Sequence, residues 1–437
     1  VSRRTALGFL VAGVVLLVLT ATALNTAWRD DRTGTVAGGV TAAPAADPVI
    51  ELIETSQERL TEVPGDWSAW AQLGSAYVEQ ARITADPTYY DKGEGALQES
   101  LALRPDDNDR ALTGLGALAN ARHDFRRAAD LAGRALELNP FGASAWGVLT
   151  DARHQLGDYA GATAALDRML ELQPGIASFT RASYNAELHG NRDDAAAALE
   201  QALAAARAPA DEAFCRAYLG ALAFSGGDLD GAERHFTAGL AEDPGEATLL
   251  LGQARVLAAR GRDDAAVAAF RSVVAARPLP EHLVEFGEYL TALGREEEAQ
   301  EQFALVETIR SLFEASGVQD HLGTALFAAD HGDPATAVAA AEAEFAARQN
   351  IDAHDALGWA LHSSGRDAEA LEHARAATSL GGRNPLFLYH RGVIEAALGR
   401  TDQARATLTE ALDTNPYFSP LHAPRAAQLL AHLGGRP

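Results

Sequence analysis

Apolar positions along most of this chain recur with the period of an α-helix, in short segments separated by regular breaks. Residues 67–77 carry the pattern most clearly: Trp70, Leu73 and Tyr77 fall at i, i+3 and i+7 and share one helix face. Gly74 sits beside them, where a second helix must come within a backbone's width. The breaks are marked by a glycine that closes each first helix, at Gly157, Gly190, Gly227, Gly261, Gly294, Gly332, Gly365 and Gly399, with His123 in the equivalent place one unit earlier. The intervals are 34, 33, 37, 34, 33, 38, 33 and 34 residues. A residue just past a helix end commonly turns left-handed, which suits glycine.

Five residues after each marker comes an alanine, at 128, 162, 195, 232, 266, 299, 337, 370 and 404, small enough for two helices to cross closely. Four residues further on sits a core position, held by Leu166, Leu199, Phe236, Phe270, Phe303 or Leu408. Most units then end in proline (Pro105, Pro140, Pro174, Pro244, Pro278, Pro416), which cannot continue a helix. The pattern predicts ten helix-turn-helix units over residues 65–416, the first at 67–105. A half-repeat at 48–64 precedes them, with Asp47 as N-cap, Pro48 in the first turn and Ile50, Ile53, Gln57 and Leu60 down one side. Residues 417–437 follow, with an amphipathic helix at 422–433 to shield the last apolar face. Three units are longer than the rest: around 83–91 with Tyr89 and Tyr90, around Pro209, and through an extended helix at 306–315. Each reads as a lengthened helix or loop, or as a protrusion for a partner.

Trp70, Leu73, Gly74 and Tyr77 reproduce the W-x2-L-G-x2-Y opening of a tetratricopeptide repeat, and the chain resembles that family over the ten units. The resemblance implies an all-α superhelical solenoid whose concave groove is lined by the first helix of each unit. Transferred unit by unit, the groove positions are Asp151, His154, Tyr184, Glu187, Arg255, Glu288, Asp355, Trp359, His362 and Tyr389. The resemblance further implies binding of a protein or peptide, an inference from fold analogy. Asp355, Trp359 and His362 form one stripe that would face the concave side with Tyr389 beside it, or else pack between helices. Family members that clamp a C-terminal carboxylate use lysine and asparagine in the groove. Here Lys92 is the only lysine of the chain and Asn120 the one groove asparagine, so a carboxylate clamp is not expected.

Ahead of the repeats, residues 6–24 carry no charge and follow Arg3 and Arg4. As a helix they would span ~28 Å, close to the hydrocarbon thickness of a bilayer. Residues 1–25 read as a signal-anchor or a cleaved signal peptide, since Ala21-Thr22-Ala23 fits a cleavage site. Arg3 and Arg4 favour keeping the N-terminus in the cytoplasm. Residues 26–47, rich in Ala, Gly, Thr and Pro, read as a flexible tether. The expectation is a single-pass protein of a bacterial cytoplasmic membrane with its repeats outside the cytoplasm, or an exported soluble protein if the signal is cleaved.

Charge narrows the partners. Thirty-six basic residues face 60 acidic ones, a net charge of −24, which repels nucleic acid and anionic lipid headgroups. The acidity reads as keeping a long exported protein soluble, or else as steering a basic protein or peptide partner, and no nucleic acid, small molecule or cofactor is expected. Cys215 is the only cysteine, in an apolar helical stretch, and reads as an inert buried thiol. No metalloprotease, nucleophile-elbow, phosphate-loop or dinucleotide motif occurs, so the chain reads as non-catalytic. The best chemical cluster is Asp330, His331 and Asp333 with Asp352, His354, Asp355 and His362. His354 and His362 lie two turns apart, so a metal site would need neighbouring repeats to converge, and none is expected. The expected role is an interaction scaffold of the cell envelope; an accessory subunit of a membrane transport or secretion complex is the alternative, and an enzyme or metal-binding protein with a site in the groove the third reading.

Overall fold

The structure, a computed structural model, describes residues 48–84, 86–315, 318 and 320–435. The expected anchor and tether, with the Asp47 cap, lie outside the described residues. Among the described residues there are 22 α-helices and no strand. After α1 (Pro48–Glu62) they come in pairs: α2 (Trp67–Thr84) and α3 (Thr88–Leu103), α4 (Asp109–Ala121) and α5 (Phe125–Leu138), α6 (Ala143–Leu156) and α7 (Tyr159–Leu172), α8 (Ile176–Leu188) and α9 (Arg192–Ala205). Next come α10 (Pro209–Ser225) and α11 (Leu229–Glu242), α12 (Ala247–Ala259) and α13 (Asp263–Ala276), α14 (Pro280–Ala292) and α15 (Glu296–Ala315). The last pairs are α16 (His321–His331) and α17 (Pro334–Ala347), α18 (Ile351–Ser363) and α19 (Asp367–Ala377), α20 (Pro385–Ala397) and α21 (Thr401–Thr414), before a lone α22 (His422–His432).

The turns follow from the marker residues. Seven of the eight marker glycines have φ between 66° and 80°, and His123 adopts the same hand at 63°. Gly332 departs from the rule with φ −125°; Asp333 follows it at once as the cap of α17, accepting the Thr336 amide at 2.9 Å. All nine alanines after the markers are 0% exposed, which is what a close helix crossing requires. The core residues beyond them pack against glycine on the facing helices. The Phe236 ring of α11 lies between Gly220 of α10 and Gly252 of α12; a Cβ on either would fall 2.3–2.4 Å from a ring carbon. Leu97 is seated in the same way between Gly74 and Gly114.

The three long units are long because their helices are. α2 runs to Thr84, α10 gains a first turn opened by Pro209, and α15 extends over 20 residues. On α1 the buried side differs from expectation: Ile53, Ser56 and Leu60 are buried, while Ile50 is 42% exposed because Val49 and Leu52 pack toward α2 instead. No helix among the described residues is long and apolar enough to cross a membrane.

Packing divides the chain into two units. The N-terminal one reaches Arg153 and takes in Ala160–Ala177. There Trp70 and Trp146 open their helices alike, each indole N–H donating to the carbonyl of the proline six residues earlier, Pro64 at 2.9 Å and Pro140 at 3.0 Å. The C-terminal unit comprises Ser178–Pro437 with His154–Tyr159. Within it, turns far apart in sequence meet: Ile351 N–H donates to the Tyr159 hydroxyl at 2.9 Å, Gly382 N–H to Leu188 O at 3.0 Å, and the Asn415 amide to Phe224 O at 2.9 Å. The partners are about 190 residues apart, between five and six repeats at the period above. The approach is close at Gly190, where a Cβ would sit 2.4 Å from Gly381 O.

Candidate functional site

Within the C-terminal unit, the first helices present polar and aromatic side chains to one another at positions one turn apart. Trp359 of α18 is the centre. Its indole N–H donates to Asp330 Oδ1 of α16 at 3.0 Å, which holds that carboxylate in place. His390 of α20 stacks on the indole with ring centroids 4.1 Å apart, and His362 stacks at 5.1 Å. Tyr389 lies 5.9 Å away and His422 of α22 meets the indole edge-on at 6.2 Å. His390 Nδ1 faces both oxygens of Asp355 at 3.0 Å; a carboxylate only accepts, so this nitrogen carries the proton. His422 Nε2 lies 3.4 Å from Asp330 Oδ2, and His331 Nε2 lies 3.1 Å from Glu288 Oε1 of α14.

These groups are largely removed from water. Trp359, Asp355, His390, His422 and Tyr389 are all buried. Burial pushes the Asp330 carboxyl up, but the His422 bond, the charges of His422 and His390 and the Trp359 bond together hold it below its ordinary value. Burial raises the Tyr389 hydroxyl to about 12, against the pull of Arg425. The arrangement can hold charge in a dry place. Glu288, Asp330 and His422 each offer one ligand atom, all within 4.8 Å of one another.

The remaining expected groove residues fall elsewhere. His154 is buried, with Nε2 3.1 Å from Asn185 Oδ1 and its ring edge-on to Tyr184 at 5.4 Å. Burial drives the His154 imidazole down to about 4 and raises Tyr184 well above its ordinary value. Close to them in the unit, Asp352 is lifted to about 6 by burial, although Arg348 pulls it down. Arg255 makes two parallel bonds of 2.7 Å to Glu285, joining α12 to α14. Asp151 is half-buried on α6, in the N-terminal unit, and Glu187 is exposed at the end of α8.

One expectation needs correction. The stripe Asp355–Trp359–His362 is not an open binding surface: Asp355 is 2% exposed and Trp359 7% exposed, because α20 and α22 close over them. Glu288, Asp355, Trp359, His362 and Tyr389 do come together, but as the lining of a packed polar core. His390 and His422 were missed, although eight of the thirteen histidines follow residue 320. Of the chemical cluster read from sequence, Asp330, His331, Asp355 and His362 join this core, and Asp352 goes to the neighbourhood of Tyr184. His354 pairs instead with His373, Nδ1 to Nδ1 at 3.0 Å. Cys215 is fully buried, which lifts its thiol to about 12.

The tetratricopeptide repeat family matches residues 113–175, 219–279 and 370–419. The intervening units contain two of the three irregular ones. Solved structures of similar fold include a thermophilic TPR protein of Thermus thermophilus, 22% identical, covering 39% of this chain and 91% of its own, with a TM-score of 0.36. A tetratricopeptide repeat protein of Parabacteroides merdae is 16% identical over 60% of this chain and 99% of its own, with a TM-score of 0.35. Human IFIT1, solved as a dimer with PPP-AAAA, is 15% identical over 83% of this chain and 86% of its own, with a TM-score of 0.44. No curated protein matches the chain.

Proposed function

This chain is built of tetratricopeptide repeats, and on that premise we propose that it is a non-catalytic scaffold holding protein partners at the outer face of a cytoplasmic membrane. One observation carries the reading: paired helices recur through nearly all of the described chain, leaving a row of first helices rather than a separate catalytic domain. With Trp359 and Asp355 buried, docking falls to the reachable first-helix positions. Among these are Arg255, whose side chain is 36% exposed beside Glu285, and His362 at the edge of the polar core, 23% exposed. The net charge of −24 favours a basic partner segment. The uncharged run 6–24 supports the tether, and the same run supports a second reading in which it contacts other membrane helices of a transport or secretion complex.

Crosslinking in intact cells followed by mass spectrometry tests the scaffold. The expected result is a protein partner joined at the first helices, α12 or α18 among them; crosslinks confined to the second helices would overturn the docking face. A reporter fused after Pro437 should be active only outside the cytoplasm, and activity only inside would overturn the topology.

A further inference from the structure

The polar core around Trp359 holds more ligand atoms than a packing role needs. Glu288, Asp330 and His422 come from α14, α16 and α22, and their ligand atoms converge within 4.8 Å. Their side chains are 12%, 11% and 4% exposed, so two carboxylates stand close together where water screens them little. Trp359 occupies Asp330 Oδ1 and leaves Oδ2 turned toward His422 Nε2. Two imidazole nitrogens of this core, His422 Nδ1 and His390 Nε2, are buried without a hydrogen-bond partner among the described residues. His390 is the more telling. Its Nδ1 faces both Asp355 oxygens at 3.0 Å, and a carboxylate on the far nitrogen is the usual support of a metal-binding histidine. Its ring lies 6.0 Å from that of His422.

We propose that Glu288, Asp330 and His422 bind one divalent transition-metal ion, zinc in the first instance. Oxygen and imidazole donors without sulfur suit zinc or manganese and give no preference for copper(I). Zinc takes such ligands at about 2.0–2.2 Å, so the three side chains close up by roughly 1 Å on binding. The ion then ties the closing helix α22 to two helices about 100 and 130 residues earlier, joining by coordination what the chain connects only through intervening repeats. His331 Nε2 stays on Glu288 Oε1, 3.1 Å away.

The test is calorimetric titration of the full chain, stripped with a chelator, using zinc chloride alone. One ion per chain should bind, and the melting temperature should rise with added zinc. Asp330→Asn and Glu288→Gln keep shape but remove charge, and each should weaken binding at least about 10-fold. A His354→Ala/His373→Ala double variant removes the other close histidine pair and should leave the affinity unchanged. Cobalt(II) should give the absorption of a nitrogen- and oxygen-ligated site in the wild type, altered in His422→Gln. No binding up to about 1 mM zinc, a Kd in the range of weak surface association, would overturn the proposal. So would an affinity unchanged by Asp330→Asn, or one lost in the His354/His373 variant. If a carboxylate variant unfolds by far-ultraviolet circular dichroism, the cobalt spectrum of the wild type decides, and an aquo-ion spectrum counts against the site.

Discussion

Adding one methyl group at Gly252 probes the packing rule that repeats through the chain. The Cβ of Gly252→Ala would meet three carbons of the Phe236 ring at 2.3, 2.4 and 2.6 Å, where non-bonded carbons ordinarily sit ~3.5–4.0 Å apart. The ring cannot retreat, because on its other side it already lies where a Cβ of Gly220 would be 2.4 Å away. Overpacking of this kind costs about 1–3 kcal/mol. Replacing a mid-helix glycine by alanine contributes about 1 kcal/mol in the other direction. The net should be a loss of up to about 2 kcal/mol for Gly252→Ala. Gly133→Ala, on α5 with nothing within 4 Å of the new Cβ, should instead stabilise by about 0.5–1 kcal/mol. Phe236→Leu makes room, so the Gly252→Ala/Phe236→Leu double variant should lose less than the two single changes added together, by about 1 kcal/mol or more. Urea denaturation followed by circular dichroism reads the totals; hydrogen exchange on α10–α12 localises them, since repeats can open separately. If Gly252→Ala and Gly133→Ala shift stability in the same direction, or the double variant is simply additive, the reasoning fails.

Three further outcomes follow from the same geometry. Ala299→Leu, at a 0% exposed crossing, should cost about 1–3 kcal/mol, while Arg295→Ala removes only a solvent-reachable pair with Glu298 and should change stability by under about 1 kcal/mol; equal effects would mean the repeat register is misassigned. Trp359→Ala should cost about 3–5 kcal/mol in a melt, because the indole is buried, stacked on His390 and bonded to Asp330; a variant that melts like the wild type but no longer captures a partner would restore the open groove. Burial drives His282 down to about 4, below the ~6.5 of an unfolded histidine, while its Nδ1–H donates to Arg277 O at 3.0 Å. Its contribution is therefore complete above pH ~6.5 and is lost as pH falls toward 4; His282→Gln should flatten that part of the stability curve, and an unchanged slope in paired pH-dependent melts would count against it.

The fold was written in local spacing. A left-handed turn at each marker, an alanine five residues later and a core residue four beyond that each depend on a few neighbouring residues, so the period and the pairing of helices could be read without coordinates. The same holds for Cys215, whose apolar helical surroundings already marked it as buried. What sequence could not decide was which side chains from different repeats meet. Position within one unit left Trp359 either facing the groove or packed between helices, and its burial comes from His390 and His422 on helices one and two units later. Glu288, Asp330 and His422 meet only because small rotations between successive repeats accumulate, and no local pattern records that sum. The meeting of Tyr159 with Ile351 and of Phe224 with Asn415, about 190 residues apart, has the same origin. Sequence alone determined the repeated element, because its contacts are local in the chain; tertiary structure decided the site, because curvature is a property of many repeats together.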